Sequence, residues 1–230
     1  MEKNIPQHIG IIIDGNRRWA KKRGLPTFQG HKKGFDNLKK ISAHVFDKGV
    51  KILTIYAFST ENWKRSQHEV DYLMDLIRLL VQREANDLVK RKVKLNILGR
   101  ISDFDADLQQ DIFQAMEKTK NGKKGILNVC LSYGGRDEIV TAIKNIVKDQ
   151  IKPAQINEKL VSDYLYTSGM PDPDLIIRTS GEQRLSGFLT WQSVYSEFYF
   201  PKKDWPSFNT KDLDKALDDF SARHRRFGGN

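Results

Sequence analysis

The chain has 230 residues, with 39 lysine and arginine residues against 29 aspartate and glutamate residues, which gives a formal net charge of +10. Its hydrophobic (39%) and charged (30%) fractions are typical of one globular domain, and no apolar run approaches the roughly 20 residues of a membrane-spanning helix. Residues 1–6 lack the pattern of a signal peptide, and the single cysteine excludes an intrachain disulfide, so we expect a cytoplasmic protein.

Apolar runs rich in β-branched residues alternate along the chain with segments of helical periodicity. The first run, residues 8–13, predicts a buried strand because nearly every position is apolar. Five further strands are predicted over residues 52–58, 93–98, 126–131, 175–177 and 198–200. Apolar residues three and four positions apart predict helices over residues 35–45, 70–88, 108–116, 139–147 and 213–220, the third capped by Ser102 and the last by Thr210. This alternation predicts an α/β fold: a single domain over residues 1–230, with a central, mostly parallel sheet flanked by helices.

The positive charge is concentrated between Arg17 and Lys40, where nine lysine or arginine residues stand against one acid, Asp36. A solvated helix surface is the ordinary interpretation of such a segment. Nucleic acid, an anionic membrane surface and a phosphorylated small substrate are the three classes of partner that the charge would suit.

Polar side chains follow the first predicted strand, in the order Asp14-Gly15-Asn16-Arg17-Arg18-Trp19. Ligands of open α/β sheets bind beyond the carboxyl ends of the strands, so this turn is a candidate site. Gly15 would let a ligand approach the backbone, and Arg17 and Arg18 would bind an anion at the start of the next helix. A carboxylate at Asp14 fits an anion site if a divalent cation such as Mg²⁺ bridges it to phosphate oxygens. The alternative is that Asp14 only caps the helix.

Two other predicted strands also end in polar segments. The second is followed by residues 59–65, with the sequence STENWKR, for which an ordinary capped turn is the alternative interpretation. The fifth is followed by Arg178, which with Arg184 and Ser186 would form a second cradle for oxyanions. An ion pair between Arg178 and Glu182 is the structural alternative.

Two single residues complete the set of candidates. Glu197 lies in an aromatic segment, where a carboxylate usually has a cation or a hydrogen-bond donor as its partner. Cys130 lies inside an apolar strand, which indicates a small core residue rather than a nucleophile. The sequence contains no nucleotide-binding P-loop, no H-E-x-x-H zinc motif and no G-x-S-x-G hydrolase motif.

Several ordered segments together resemble the cis-prenyltransferases, whose best-known bacterial members are the undecaprenyl diphosphate synthases. The segments are HIGIIIDGNRRWA (8–20), GHKKG (30–34), YAFSTENW (56–63), NVCLSYGGR (128–136), IRTSGEQRLS (177–186), WQ (191–192) and RRFGG (225–229). The resemblance covers essentially the whole chain.

The resemblance implies a cis-prenyltransferase fold with an elongated apolar tunnel, and a homodimer. It implies the condensation of isopentenyl diphosphate with an allylic diphosphate, typically farnesyl diphosphate, with each new double bond in cis. The implied product is a long poly-cis polyprenyl diphosphate such as undecaprenyl diphosphate, the precursor of the lipid carrier for cell-wall polysaccharide synthesis. A shorter-chain or irregular prenyl diphosphate synthase of the same fold is the alternative.

The resemblance also assigns roles to residues. Asp14 would hold Mg²⁺ together with Glu197 and assist the departure of pyrophosphate, and Asn62 would lie near the proton lost in the condensation. The allylic diphosphate would be bound by Gly15, Asn16, Arg17, Arg18, Trp19 and His31. The diphosphate of isopentenyl diphosphate would be bound by Arg178, Arg184, Leu185 and Ser186. The pocket would be shaped by Ser59, Thr60, Glu61, Trp63 and Arg65. Arg226 and Gly228 would reach the diphosphate in the neighbouring subunit.

Four positions depart from the family's usual pattern. Thr27 stands where an arginine is common, and Arg17 stands where bacterial relatives commonly have glycine, so we hypothesise that Arg17 compensates for Thr27. Gln183 and Gly187 replace a histidine and an asparagine of some members. These departures leave the allylic preference and the product length open, but not the class of reaction.

Two other classes of protein compete with this interpretation. An inactive partner subunit of a two-component prenyltransferase would be expected to lack the catalytic aspartate, whereas Asp14 is present. A nucleic-acid-binding protein is suggested by charge alone, and no known nucleic-acid motif occurs. We therefore expect diphosphate substrates and no nucleic acid, with a basic surface that would also suit peripheral contact with the inner face of a membrane.

Overall fold

The computed structural model describes residues 4–224 and contains a six-stranded sheet in which all neighbouring strands are parallel. The strands are β1 (His8–Ile12), β2 (Ile52–Ser59), β3 (Val93–Leu98), β4 (Gly125–Tyr133), β5 (Leu175–Arg178) and β6 (Glu197–Tyr199). Their order across the sheet is β3-β4-β2-β1-β5-β6. The predicted α/β fold with a parallel sheet is confirmed.

Eight α-helices flank this sheet within residues 4–224. They are α1 (Asn16–Lys21), α2 (Thr27–Asp47), α3 (Gln67–Leu79), α4 (Ala85–Lys90), α5 (Ala106–Thr119), α6 (Gly135–Lys148), α7 (Glu158–Asp163) and α8 (Thr210–Ala222). The long helix predicted over residues 70–88 is present as α3 and α4, joined by a π turn, Leu80–Glu84.

Both predicted helix caps are wrong by a few residues. The cap of α5 is Asp105, whose Oδ1 accepts from the Leu108 backbone N–H at 2.9 Å, whereas Ser102 lies in a preceding 3-10 turn. The cap of α8 is Asn209 rather than Thr210, which is the first helical residue. In both cases a short aspartate or asparagine side chain reaches the free N–H three residues on, which a serine or threonine placed elsewhere cannot do.

Both faces of the sheet are covered, which explains why the strands are apolar runs rather than alternating patterns. On one face, residues such as Ile9 and Ile11 pack in a large buried cluster with α2 to α5 and α8. On the other face, Ile12 and Cys130 pack in a smaller cluster with Phe188. Cys130 is fully buried and burial raises the pKa of its thiol, so its interpretation as a core residue is confirmed.

The strand order places β1 between β2 and β5, so the carboxyl ends of these three strands are adjacent. The chain leaves β1 toward β2 on one side and later adds β5 on the other side. This is the position at which open α/β sheets form a ligand crevice. Among the helices of residues 4–224, none combines the length and the apolar character needed to cross a membrane.

Candidate active site

A cavity of about 510 Å³ opens at the carboxyl ends of β1, β2 and β5. Its polar lining comes from the strand ends and from the first turns of the helices: Asp14, Gly15, Asn16, Arg17, Arg18, His31, Ser59, Asn62, Arg65 and Arg178. Its apolar lining comes from the sheet, from later turns of α2 and α3 and from the start of the π turn, and includes Phe35, Leu38, Phe58, Leu76, Ile77, Leu80, Val129 and Leu131. The cavity therefore combines a cationic mouth with an apolar interior, which suits a ligand with an anionic head and a hydrocarbon tail.

The turn between β1 and α1 depends on Gly15. Its φ of 104° lies in the left-handed region, and a Cβ there would lie 2.8 Å from both Ser180 Oγ and Asp204 Oδ1. Gly15 is also the N-cap of α1, and no side chain caps this helix. The alternative in which Asp14 only caps the helix is therefore wrong, and its carboxylate is available for other contacts.

Asp14 joins the two arginine clusters that the sequence suggested. Its Oδ1 lies 3.0 Å from Arg18 Nη2, and its Oδ2 accepts from Arg178 Nη2 at 2.9 Å. Arg178 is almost fully buried and also donates to Ser186 Oγ at 2.8 Å and to the backbone carbonyl of Arg184. The two cationic groups are thus contiguous, because one carboxylate lies between them.

The predicted alternative of an ion pair between Arg178 and Glu182 is wrong. Glu182 instead pairs with Arg18, through Oε1 at 3.0 Å, and with Arg184. Arg184 is mostly exposed, and only its backbone carbonyl contacts Arg178. Arg18 therefore contacts two carboxylates, those of Asp14 and Glu182.

Glu69 is a residue of this region that the sequence interpretation missed. Its Oε1 accepts from Arg65 Nη1 at 2.9 Å and lies 3.0 Å from His31 Nε2 and 3.9 Å from Arg17 Nε. Burial lowers the pKa of His31, although its hydrogen bond with Glu69 acts in the opposite direction. Burial alone would raise the pKa of Glu69, but the His31 hydrogen bond and the charge of Arg65 lower it overall. The spacing of four between Arg65 and Glu69 at a helix start was the available signal.

Two glycines of α2 determine how closely α1 approaches it. A Cβ on Gly30 would overlap the backbone carbonyl oxygen of Asn16, and a Cβ on Gly34 would overlap Asn16 Oδ1. His31 lies between these glycines and is buried at the cavity wall. The Gly-His-x-x-Gly segment therefore allows the start of α1 to pack closely against α2, and this start carries Arg17 and Arg18.

Asn62 and Ser59 both line the cavity, and they also cap the 3-10 turn Thr60–Lys64. The backbone N–H of Ser59 donates to Asn62 Oδ1 at 3.1 Å. The alternative of a capped turn is thus confirmed for residues 59–65, and three polar residues of this segment, Ser59, Asn62 and Arg65, line the cavity.

Other predicted ligands do not line the cavity. Trp19 donates to Ser207 Oγ at 2.8 Å and lies under the Arg23 guanidinium, 4.4 Å from the ring centre. Trp63 donates to Ser132 Oγ at 2.9 Å and packs against Phe58. The remaining residues outside the lining are Thr60, Glu61, Arg184, Leu185 and Ser186. Arg226 and Gly228 lie outside the described residues.

The predicted pairing of Asp14 with Glu197 in one metal site is not formed within the chain. Glu197 is the first residue of β6 and is in register with Leu175 of β5. Leu175 is in turn in register with Ile9, near the amino end of β1. Asp14, by contrast, follows the carboxyl end of β1. Glu197 Oε2 instead accepts from Arg223 Nη1. The parallel strand register thus separates the two carboxylates, and no cluster of three or more metal-ligating side chains occurs within residues 4–224.

Asp14 alone still fits a magnesium site that is completed by a ligand. Mg²⁺ is commonly held by one or two carboxylates together with phosphate oxygens and water. Asp14 is partly exposed at the cavity mouth, beside the cations that would hold a diphosphate. Arg18 and Arg178 take up one lone-pair site on each oxygen, so the carboxylate keeps acceptor capacity for a metal ion beside these guanidiniums.

Comparison with known proteins gives one consistent result. Residues 12–228 match the family model described as "Putative undecaprenyl diphosphate synthase". The chain is 50% identical to an isoprenyl transferase of Clostridium perfringens, covering 100% of this chain and 92% of that protein, and 47% identical to one of Thermotoga maritima, covering 98% and 97%.

Two solved structures share the fold. One is lavandulyl diphosphate synthase from Lavandula x intermedia in complex with dimethylallyl diphosphate, with a TM-score of 0.94 and 36% identity over 98% of this chain and 99% of that one. The other is a probable undecaprenyl diphosphate synthase from Campylobacter jejuni, with a TM-score of 0.83 and 29% identity over 98% of this chain and 100% of that one.

Proposed function

Because the chain belongs to the undecaprenyl diphosphate synthase family of prenyltransferases, we propose that it condenses isopentenyl diphosphate with an allylic diphosphate, farnesyl diphosphate in the first instance. The observation that carries the proposal is the cavity at the carboxyl ends of β1, β2 and β5, cationic at its mouth and apolar inside. A prenyl diphosphate has a matching shape, with a diphosphate at one end and a hydrocarbon chain behind it.

The two arginine clusters would divide the two diphosphates between them. Arg17 and Arg18, with His31 beside them, would bind the allylic diphosphate, whose chain would enter the apolar interior. Arg178, held by Ser186 at the other side of Asp14, would bind the diphosphate of isopentenyl diphosphate. Holding two reacting carbons side by side removes much of the entropic barrier of a bimolecular reaction.

Asp14 is the proposed magnesium ligand, and Asn62 the proposed residue near the proton that is lost. Mg²⁺, when bound, would neutralise the charge that develops on the leaving diphosphate. Arg18 would take part of the same charge once its contact with Asp14 is released. Glu197 is not part of the proposed single-chain metal site, because it lies at the amino ends of the strands and Asp14 lies at their carboxyl ends.

The length of the product has two candidates. The first is a long poly-cis chain such as undecaprenyl diphosphate, which would serve as a lipid carrier precursor for cell-wall synthesis and is supported by the family match. The second is a shorter product, which the size of the cavity favours. A cavity of about 150 Å³ holds one benzene, so 510 Å³ holds about 20 carbon-sized atoms, close to farnesyl diphosphate and far below an undecaprenyl chain.

We further propose a cytoplasmic homodimer that contacts the membrane peripherally. An exposed apolar stripe on α6, formed by Val140, Ile143 and Val147, supports a surface for a second copy. The basic residues between Arg17 and Lys40 support attraction to an anionic membrane.

The test is incubation of the purified protein with labelled isopentenyl diphosphate, farnesyl diphosphate and Mg²⁺, followed by product sizing. We expect label in prenyl products that are longer than farnesyl, and loss of this label in the Asp14→Ala variant. If the folded protein incorporates no label with any allylic diphosphate from ten to twenty carbons, the proposed function is wrong.

A further inference from the structure

Arg18 is held from outside the cavity by a short chain of hydrogen bonds. Its Nε donates to Ser180 Oγ at 2.8 Å, and Ser180 Oγ in turn lies 2.6 Å from Asp204 Oδ1. Arg18 lines the cavity, whereas Ser180 and Asp204 do not. Neither of these two residues has a part in the diphosphate binding proposed above.

The direction of these hydrogen bonds is fixed by the charged groups at the two ends of the chain. Arg18 Nε can only donate, and an ionised carboxylate can only accept. Asp204 is buried, and burial raises its pKa, but the hydrogen bonds with Lys22 and Ser180 lower this pKa overall. The Asp204 carboxylate is therefore ionised at neutral pH, and the Ser180 hydroxyl donates to it and turns its lone pairs toward Arg18.

The segment that carries Asp204 also holds helix α1 at both of its ends. Lys22, the C-cap residue of α1, donates to Asp204 Oδ2 at 2.7 Å. Before the helix begins, the backbone N–H of Trp205 donates to the carbonyl oxygen of Asp14 at 2.9 Å. Gly15 leaves the space for this approach, since a Cβ there would lie 2.9 Å from Asp204 Cα. The position of α1 therefore depends on this segment.

Ser180 has a backbone conformation that residues other than glycine seldom adopt. Its φ is 75°, in the left-handed region, and the φ of Gly181 is 78°. The Ser180 N–H donates to the carbonyl oxygen of Lys203 at 2.7 Å, and the Gly181 N–H donates to that of Pro201 at 3.0 Å. Non-glycine residues in such conformations are concentrated at functional sites. Glycine would adopt this turn more readily, and the hydroxyl group is what serine adds.

We infer that Ser180 and Asp204 are positioning residues for Arg18 in the binding of the allylic diphosphate, an inference that rests on the proposed function. Arg18 Nη1 and Nη2 point to Glu182 and Asp14, at the side where the diphosphate would bind. Because the guanidinium is planar, holding its Nε determines where the two Nη atoms lie. A side chain that is already ordered loses less conformational entropy when the ligand binds.

The first experiment compares the wild-type protein with the Ser180→Gly variant. Calorimetry measures the affinity for inorganic pyrophosphate without Mg²⁺, and initial rates with Mg²⁺ give KM for farnesyl diphosphate and for isopentenyl diphosphate. We expect the pyrophosphate affinity to fall about 3–10-fold and KM for farnesyl diphosphate to rise by a similar factor, as for the loss of one hydrogen bond. KM for isopentenyl diphosphate should change less than about twofold, because Arg178 keeps its contacts.

The Ser180→Gly variant should keep a thermal midpoint close to that of the wild type. Glycine relieves the backbone conformation at φ 75°, which offsets the greater freedom that it gives the unfolded chain. If this variant does not fold, Ser180→Ala, which also lacks the hydroxyl, should give the same shifts in affinity and KM.

A double-mutant cycle tests the part of Asp204. Asp204→Asn is made in the wild type and in the Ser180→Gly variant, and the pyrophosphate affinity of all four proteins is measured. The direct electrostatic effect of removing the Asp204 charge is the same in both cases and cancels, so the cycle isolates the effect that passes through the hydroxyl. We expect a coupling of about threefold or more.

Asp214→Asn is the matched control. Asp214 also contacts two side chains, those of His44 and Lys48, but it lies on α8 and does not line the cavity. This variant should leave the pyrophosphate affinity and both KM values unchanged.

The outcomes distinguish this inference from the proposed function. A folded wild-type protein that incorporates no label with any allylic diphosphate refutes both. An active wild-type protein whose Ser180→Gly variant has the same pyrophosphate affinity and the same KM for farnesyl diphosphate refutes the inference alone. An equal rise of both KM values also refutes it, since the site would then be loosened as a whole. A double variant whose loss of affinity is the product of the two single losses refutes it as well, because Asp204 would then not act through Ser180.

Discussion

Replacing Gly30 by alanine tests whether the contact between α1 and α2 positions Arg17 and Arg18, the arginines that we propose bind the allylic diphosphate. A Cβ at this position would overlap the carbonyl oxygen of Asn16 and lie 2.9 Å from its carbonyl carbon, where about 3.5 Å is the favourable separation of two carbons. The obstacle is backbone and cannot rotate away. The start of α1 would therefore move by about 1 Å, and with it Arg17 and Arg18.

Gly30→Ala should reduce catalytic activity much more than it reduces the free energy of unfolding. Overpacking costs about 1–3 kcal/mol, and the better helix propensity of alanine returns about 1 kcal/mol, so the protein should stay folded. A misplacement of about 1 Å at a reacting site can cost about 100-fold in rate, or about 2.7 kcal/mol of activation free energy. We therefore expect kcat/KM for the allylic substrate to fall about 100-fold, with weaker binding of inorganic pyrophosphate.

The assay pairs steady-state kinetics and calorimetry of pyrophosphate with thermal unfolding. Gln29→Ala is the matched control, because Gln29 is the exposed neighbour of Gly30 on the same helix. A Gly30→Ala protein with wild-type turnover and wild-type pyrophosphate affinity would show that α1 does not depend on this contact for its position.

Three further predictions follow from individual contacts. Burial lowers the pKa of His8 from 6.5 to about 4, so between these pH values the unfolded state binds more protons than the folded state. The free energy of unfolding should therefore fall by up to about 3 kcal/mol as the pH drops from 6.5 to 4. Denaturant titrations at pH 7.5 and pH 4.5 should show this loss in the wild type and a smaller one in His8→Gln; equal losses would contradict it. Arg178→Lys keeps a positive charge but cannot contact Asp14 and Ser186 with one planar group, so kcat/KM for isopentenyl diphosphate should fall about 10–100-fold in initial-rate measurements. Asp14→Asn should abolish Mg²⁺-dependent turnover yet bind pyrophosphate more tightly without Mg²⁺, because it removes the negative charge between the two guanidiniums; weaker binding by calorimetry would contradict this explanation.

The sequence was sufficient for the strands because a parallel sheet buried on both faces leaves a simple pattern of apolar runs. The β6 strand begins at Glu197 rather than at residue 198 because the start of so short a strand is set by pairing with β5, which a single segment does not show. Helix caps were predicted less well for a related reason. Whether Ser102 or Asp105 caps α5 depends on where the chain turns after β3.

The site was predictable where its residues lie at the carboxyl ends of strands, as Asp14 does just after β1 and Arg178 does as the last residue of β5. Strand order then brings them together, because β1 and β5 are neighbours. Glu197 shows the limit of this reasoning. It begins β6, the neighbour of β5, and therefore lies at the amino ends of the strands, whereas Asp14 and Arg178 lie at their carboxyl ends. Glu69 shows another limit, because its role depends on the packing of α3 against α2, which local spacing alone does not establish.

The high positive charge around the site is more balanced than the sequence suggests. Asp14 contacts Arg18 and Arg178, and Glu69 contacts Arg65 and His31, so internal carboxylates already pair with three arginines of this region. The free energy of binding an anion here therefore depends on the difference between its own interactions with the arginines and the carboxylate interactions that it weakens. A bare anion that binds these arginines would lie beside the negative charge of Asp14 and be repelled by it, whereas Mg²⁺ on a diphosphate would give this carboxylate a cation as a new partner. From the position of one aspartate between two arginines, we therefore expect tighter binding of a metal-bound diphosphate than of nucleic acid or free phosphate.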